Sequence, residues 1–359
     1  MLLNALLAAL AIASVAHAAP AGGVGLNRTA DYVPLSDFDF QSLNLALQQE
    51  WLELSLFRAG INAFAPLNYS DAGLTTDDQA LLQFMADQEV GHAQLLTNIL
   101  GPNASQPCNY SFPFSNVSEF VDLSRKVTRV GESGVFGFLQ HLDSRAAGDI
   151  LGQAIATESR QQMVFRQFEG LFPMTFWFIP AITQSMAWTL QAPFLTECPS
   201  TNPRVGWQIF PGLNVTSNAT SATTFANGTA GRPAISTVRP SLSETNQTLN
   251  LTWESPGLQV GPNSTYNTSS AAGEPMFAAW ISQLNITYSP LTNVSNNTAL
   301  TTQPGGATIF QDVRNDTDFP VINGTIFLLV TDADLFVTPY NLSQIEPHIV
   351  AGPALYTVD

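Results

Sequence analysis

From residue 36 to about residue 196, apolar side chains recur every three or four positions, the spacing that places them on one face of a helix. Ser36 can cap a first helix, and Thr76 with Gln79 forms a capping box that opens a second one, which Gly101 should end. The predicted helices cover residues 36–60, 76–101, 124–142 (with a short helix from 118), 144–168 and 181–190. This pattern predicts a four-helix bundle followed by a fifth helix.

Beyond Cys198 a cluster of turn residues at 199–203 introduces short alternating runs, which predict strands. These strands are expected at 248–254, 276–282, 308–313 and 325–331. The predicted fold class is therefore α+β with two domains, a helical bundle followed by an all-β, sandwich-like domain. The expected boundaries are 1–18 for a signal peptide, 19–35 for an extended segment, 36–198 for the bundle, 199–205 for a linker and 206–359 for the β domain.

The signal peptide is predicted from an uncharged apolar run over residues 1–15 and from Ala16-His17-Ala18, which fits a cleavage site. We therefore expect a secreted protein, extracellular or in the cell wall. Residues 172–195 form a second apolar stretch with the composition of a membrane span. Prolines and the polar residues Gln184, Ser185 and Gln191 interrupt that stretch, so a buried helix is the favoured interpretation and no membrane span is expected.

Charge is scarce and one-sided, with 12 Lys and Arg against 28 Asp and Glu and a net charge of −16. Such a surface repels phosphate backbones, which excludes nucleic-acid binding through a basic patch. Solubility must then come from another source, and 18 of the 24 asparagines lie in Asn-x-Ser/Thr sequons. They are Asn27, Asn68, Asn103, Asn109, Asn116, Asn214, Asn218, Asn227, Asn246, Asn250, Asn263, Asn267, Asn285, Asn293, Asn296, Asn315, Asn323 and Asn341. We interpret them as sites of N-linked sugar; the alternative is a set of polar loops without sugar.

Cys108 and Cys198 are the two cysteines. In an exported protein they are expected to pair, closing a loop of about 90 residues and contributing roughly 4 to 5 kcal/mol in the chain-entropy model. A metal-binding or reactive thiol is the alternative. It is disfavoured because neither cysteine has a Cys or His at ligand spacing.

Several carboxylates lie in line with the apolar faces of the predicted helices, where charge is costly. Glu50, Glu132 and Glu158 each share such a face, and so do Glu89 and His92 of a Glu-x-x-His sequence. Glu53 falls at the edge of its stripe, which favours a flank or surface position. Because Lys and Arg residues are scarce, a pair of divalent metal ions is the natural partner for so many buried carboxylates.

The order of these residues matches the di-iron and di-manganese bundles, which use one Glu on each of two helices and Glu-x-x-His on each of the other two. The predicted ligands are Glu50, Glu89, His92, Glu132, Glu158 and Gln161, with iron or manganese as the expected metal. Gln161 departs from the pattern because it stands where a second His belongs. The competing interpretation is a vestigial site whose acids share protons and bond to Arg58, Arg160 or Arg166.

The motifs Glu50-Trp-Leu-Glu53, Asp87-Gln-Glu-Val-Gly-His92, Gly131-Glu132 and Ala156-Thr-Glu158, with the tail Ala192-Pro-Phe-Leu-Thr-Glu-Cys198, resemble the ferritin-like domain of fungal secreted stress-response and sexual-development proteins. Plant desiccation-related proteins are similar. The resemblance covers residues 36–200 well and the β half loosely. It implies a ferritin-like bundle, a Cys108–Cys198 disulfide and a role in stress or development, without a defined reaction.

Two functions follow from these features. The first is a non-catalytic, glycosylated extracellular protein with a degenerate metal site and a β module that contacts the cell wall or another extracellular partner. The second is a metal-dependent oxidoreductase or metal-binding protein. Other chemistry is weakly indicated: the chain has no Gly-x-Ser-x-Gly, His-Glu-x-x-His or phosphate-loop motif.

Overall fold

The computed structural model describes residues 32–175, 177–216, 242–305 and 324–358, without the side chain of Asn285. The predicted signal peptide, the predicted strand at 308–313 and residues 19–31 of the expected extended segment lie outside the described residues. The domain boundaries stay a prediction. The described part nevertheless gives the complete order of helices that surrounds the candidate site.

The described residues of the helical half form four long α-helices and two short ones. They are α1 (Asp37–Ala63), α2 (Pro66–Asp71), α3 (Thr76–Leu100), α4 (Val117–Phe138), α5 (Arg145–Phe168) and α6 (Gln184–Gln191). Helices α1, α3, α4 and α5 form the four-helix bundle, and α6 packs against α1 and α4. The predicted bundle with a fifth helix is therefore confirmed.

Local sequence sets the ends of these helices. The Ser36 side chain caps α1 by accepting a hydrogen bond from the backbone N–H of Asp39, and Ser144 caps α5 in the same way. Gly101 ends α3 with a positive φ of 62°. The predicted capping box of α3 was shifted by one residue, since Thr75 and Asp78 form it. The predicted break before residue 124 was also wrong, because α4 runs without interruption from its Asn116 cap.

The described residues of the β half form two four-stranded antiparallel sheets. Their strands are β3 (Leu213–Val215), β4 (Thr248–Trp253), β7 (Phe277–Ser282), β8 (Asn285–Pro290), β9 (Thr292–Ser295), β10 (Thr298–Thr302), β11 (Gly324–Thr331) and β12 (Ile349–Val358). The outer sheet has the order β3-β4-β10-β9, and the inner sheet, which faces the helices, has the order β12-β11-β7-β8. Two small pairs accompany them: β1 (Asn109–Tyr110) with β2 (Leu195–Glu197), and β5 (Gln259–Val260) with β6 (Tyr266–Asn267).

The inner sheet is buried on both faces, which makes the described part of the molecule three layers thick. Leu251 of β4 and Trp280 of β7 belong to the core between the two sheets, so the β half is a sandwich. Phe327 and Leu329 of β11 point the other way and share an apolar core with the helices, including Phe57 of α1. All eight residues of β11 are buried as a result.

A buried arginine also joins the two halves. Arg125 of α4 pairs with Asp122 at 2.7 Å and with Glu169 at 2.5 Å, and its guanidinium donates to the hydroxyl of Thr325 on β11. Its side chain is 1% exposed. Among the described residues, none of the helices combines the length and apolar content needed to cross a bilayer.

Candidate metal centre

Four acidic side chains and one histidine converge inside the bundle. They come from three helices: Glu50 and Glu53 from α1, Glu89 and His92 from α3, and Glu158 from α5. Each of the four acidic residues is at most 2% exposed. Ligand atoms of Glu50, His92 and Glu158 lie within 4.8 Å of one another. We refer to these five residues as the acidic cluster.

The spacing of the residues along each helix explains the convergence. Glu50 and Glu53 are three residues apart, as are Glu89 and His92, and this interval places both members of a pair on one helical face. Glu158 is followed at the same interval by Gln161, which is also buried. The three faces meet because α1 and α5 each pack against α3, and because Phe57 of α1 contacts Phe165 of α5 across the bundle.

Both ring nitrogens of His92 have hydrogen-bond partners in this arrangement. Its Nδ1 lies 2.9 Å from Oε2 of Glu89 and 3.2 Å from Oε2 of Glu50, while its Nε2 lies 2.9 Å from the hydroxyl of Thr157. The Thr157 hydroxyl also lies 2.8 Å from the carbonyl oxygen of Ala154, and when it donates there it can accept from Nε2–H. With both nitrogens protonated, the state that the raised pKa of His92 favours, the ring is an imidazolium and a positive partner for two carboxylates.

The pKa values follow from burial and from this one positive charge. Burial lowers the pKa of His92, but attraction to Glu50 and Glu89 outweighs it and raises that pKa well above 6.5. Burial raises the pKa of Glu50 to about 7, although His92 opposes the change. Burial alone would raise the pKa of Glu89, but the charge and the hydrogen bond of His92 outweigh it and lower that pKa below its ordinary value. Burial and the neighbouring carboxylates raise the pKa values of Glu53 and Glu158 well above 4.5.

Glu53 was expected at the flank or surface of α1, but its side chain is fully buried in the acidic cluster. Its two oxygens accept hydrogen bonds from Gln49 Nε2 at 2.7 Å and from the Thr128 hydroxyl at 3.1 Å. Gly131 of α4 provides the space, because a Cβ atom there would lie 2.6 Å from Glu53 Oε1 and 3.1 Å from Glu158 Oε2. Helix α4 thus contributes room to the cluster rather than a carboxylate.

Glu132 lies next to Gly131 and was predicted as a ligand, but its contacts lie elsewhere. Its oxygens pair with Arg129 Nη1 at 2.7 Å and accept from the Ser159 hydroxyl at 2.8 Å. Neighbouring residues of a helix point about 100° apart, so Gly131 and Glu132 cannot both face the same centre. The structure therefore supports an ion pair for Glu132 and does not bring it into the acidic cluster.

Gln161 borders the cluster with its amide. The Nε2 group donates to Glu89 Oε1 at 2.5 Å and to Gln88 Oε1 at 3.1 Å. The amide oxygen of Gln161 is buried without a hydrogen-bond partner among the described residues. Gln161 therefore holds Glu89 in place while its own acceptor stays unused.

A cation fits this arrangement on chemical grounds. Besides the Gln161 oxygen, Oε2 of Glu158 is buried without a hydrogen-bond partner in the described part of the chain. Such acceptors are costly unless a donor or a cation satisfies them. Carboxylate oxygens with one imidazole are donors suited to manganese and to ferrous iron.

The remaining sequence-based expectations lie away from the cluster. Cys108 and Cys198 form the predicted disulfide. Of the sequon asparagines whose side chains are described, Asn341 is half-buried and the others are exposed. The exposed ones are Asn68, Asn103, Asn109, Asn116, Asn214, Asn246, Asn250, Asn263, Asn267, Asn293 and Asn296. Asn27, Asn218, Asn227, Asn315 and Asn323 lie outside the described residues.

A four-helix bundle with a buried carboxylate and histidine cluster defines a ferritin-like protein, and residues 38–171 match the family of the ferritin-like domain. The similarity to a known fungal protein extends much further along the chain. Over 351 residues, 95% of the chain and 86% of the relative, the sequence is 47% identical to Protein rds1 of Schizosaccharomyces pombe. The chain belongs to this Rds1 family of fungal ferritin-like proteins.

Proposed function

We propose that this protein is a secreted, N-glycosylated ferritin-like protein whose bundle binds iron or manganese without turning over a substrate. One observation carries the metal proposal: acids from three helices meet in the interior, and an oxygen of Glu158 there has no hydrogen-bond partner among the described residues. A protein gains no stability from such a cluster unless a positive charge is added to it.

Glu50, Glu53, Glu89, His92 and Glu158 would hold the metal. When bound, the ion would supply positive charge to the buried carboxylates and, if it is iron or manganese, a redox-active centre. The residues themselves would give up protons on binding, because His92 is an imidazolium and burial raises the pKa values of Glu53 and Glu158 well above the ordinary range. Gln161 would keep Glu89 oriented.

The absence of a second imidazole from the described cluster favours binding over redox catalysis, because Gln161 stands at the position of the second His. One observation favours the alternative of a metal-dependent oxidoreductase. Glu53 brings a fourth carboxylate into the cluster, which is enough acidic donors to neutralise two divalent ions. Oxygen consumption by the iron-loaded protein distinguishes the two functions, since a binding protein gives no sustained consumption above that of free iron.

Metal analysis tests the binding function. The secreted protein is stripped with a chelator, dialysed against Mn²⁺ or Fe²⁺ and analysed for bound metal. We expect metal near stoichiometric with the chain, lost in Glu89→Gln and His92→Ala. Asp87→Asn is the matched control, because Asp87 is exposed on the same helix and the charge change is the same. Retention of metal by Glu89→Gln, or no uptake by the parent protein, would refute the proposal.

Secretion and glycosylation rest on the N-terminal apolar run and on the exposure of the described sequons. Enzymatic release of N-linked sugar in heavy-oxygen water converts a modified Asn to a labelled Asp, which peptide mass spectrometry detects. We expect the label at Asn250 and Asn296 of protein collected from the medium. Asn297 is the internal control, because it follows Asn296 directly but is not in a sequon. The same proposal includes a role in stress response or sexual development and a contact with the cell wall.

A further inference from the structure

The apolar packing between α3 and α5 is interrupted where these helices pass the acidic cluster. On one side, Leu82 of α3 and Phe165 of α5 belong to one apolar cluster. On the other side, Leu96 of α3 and Leu151 of α5 belong to another. Between them the helices are linked by polar contacts: His92 with Thr157, and Gln161 with both Gln88 and Glu89. We call His92, Thr157, Gln88 and Gln161 the α3–α5 seam.

Solvent comes closer to the cluster at the seam than elsewhere around its members. The His92 side chain is 12% exposed, whereas the side chains of Glu89 and Glu50 alone are 0% and 3% exposed. Thr157 and Gln88 are half-buried. One hydroxyl and one amide side chain therefore separate the buried carboxylates from water.

The opposite walls of the cluster are closed by stronger packing. Towards α4, Glu53 is held by Gln49 and Thr128, and Gln49 donates in turn to the carbonyl oxygen of Val127. Between α4 and α5, the Arg129–Glu132 pair of α4 is buried, and Glu132 accepts a hydrogen bond from Ser159 of α5. Opening the wall towards α4 would break hydrogen bonds that are fully buried, whereas the contacts of His92 with Thr157 and of Gln88 with Gln161 are only partly buried.

We propose that the α3–α5 seam is the route by which a divalent cation reaches the acidic cluster, and that Thr157 gates it. This inference rests on the proposed metal-binding function. A change of the Thr157 rotamer releases His92 Nε2, and it breaks one partly buried hydrogen bond to a charged imidazole, which contributes roughly 1.5 to 3 kcal/mol, together with the bond to the Ala154 carbonyl oxygen. His92 Nε2 then faces the opening, while Nδ1 keeps its contacts with Glu89 and Glu50. The size of the side chain at position 157 sets the rate of loading without setting the final amount bound.

The rate of Mn²⁺ uptake by metal-free full-length protein tests the gate. Uptake is followed by the loss of the free-Mn²⁺ electron spin resonance signal, and the final occupancy is read from the same trace. Thr157→Leu should slow loading about tenfold and Thr157→Ala should accelerate it, with unchanged occupancy in both. Gln88→Leu should slow loading as well, because it fills the other half of the seam with an apolar side chain.

Ala156→Leu is the matched control, because it adds a leucine of the same size one residue away on an exposed position of α5. It should load at the parental rate. Equal rates for the parent, Thr157→Leu and Thr157→Ala, or equal slowing by Ala156→Leu, would refute the gate while leaving metal binding intact. A parent protein that takes up no Mn²⁺ and no Fe²⁺ would refute the proposed function and the gate together.

Discussion

Glu53 of α1 occupies the space that Gly131 of α4 leaves empty. The two residues are on different helices and 78 positions apart, and a Cβ atom on Gly131 would lie 2.6 Å from Glu53 Oε1. The sequence of either helix alone does not indicate that these two residues are neighbours. Together they account for a carboxylate that reaches the acidic cluster from α1 instead of from α4.

The first prediction is that Gly131→Ala destabilises the protein although alanine favours helices. The new methyl group would push on Glu53 and Glu158, and overpacking of this kind costs about 1–3 kcal/mol. Gly152→Ala on α5 is the control, because its added Cβ meets no atom within 4 Å, and it should gain up to about 1 kcal/mol. Urea denaturation of both variants measures the difference. Equal stabilisation by the two substitutions would show that Glu53 does not need the space.

This pair also shows why the sequence predicted only part of the site. Glu50, Glu89, His92 and Glu158 were found because each is a charged residue in an apolar stripe, which is visible within one helix. The position of Glu53 depends on the lack of a side chain at Gly131 of α4, and the pattern of apolar residues along α1 contains no information about that residue. The interval of three between Glu50 and Glu53, together with the glycine beside Glu132, is a signal in the sequence that could have indicated it.

The fold was predictable for similar local reasons. Helical periodicity and the residues Ser36, Gly101 and Ser144 identified the long helices and several of their ends. Strand β12 was missed because it contains Gly352 and Pro353 and because nearly all of its residues are buried, which removes the alternation of a half-exposed strand. Its burial depends on helices and strands that are distant in sequence.

The second prediction concerns the pH dependence of the metal-free protein. Because burial raises the pKa of Glu50 from 4.5 to about 7, the folded state binds more protons at this residue than the unfolded state does over that interval. The contribution of Glu50 to the unfolding free energy must therefore fall as the pH rises from 4.5 to 7. His92 has the same sign, since its raised pKa gives stability that is complete below 6.5 and is lost at higher pH.

Urea denaturation in a chelator at a series of pH values measures this effect. Glu50→Gln should flatten the curve between pH 4.5 and 7, because it removes one of the titrating groups. The lowered pKa of Glu89 acts in the opposite direction, with stability that is present above 4.5 and lost below it, so maximum stability is expected in mildly acidic solution. Identical pH profiles for the parent and Glu50→Gln would contradict the assignment.

The third prediction separates binding from stability. Glu158→Gln replaces a buried carboxyl group by a neutral side chain of the same shape. One oxygen of that carboxyl group has no hydrogen-bond partner among the described residues. The metal-free variant should be at least as stable as the parent at neutral pH, because the neighbouring acids then face no additional carboxylate. The parent should gain about 2.7 kcal/mol at a metal concentration one hundred times the Kd, and the variant should gain nothing. Thermal unfolding with and without Mn²⁺ provides both measurements, and a full metal response in the variant would exclude Glu158 as a ligand.

The fourth prediction applies the same substitution to the acid that the structure places outside the cluster. Glu132→Gln weakens the buried pair with Arg129, so it should lower the unfolding free energy by about 3 kcal/mol. Its metal uptake and its stabilisation by Mn²⁺ should remain parental, because its oxygens contact Arg129 and Ser159 and not the cluster. Equilibrium denaturation and metal analysis of one preparation decide the matter. If Glu132→Gln keeps its stability but loses metal, then Glu132 is a metal ligand and its ion pair with Arg129 does not contribute to stability.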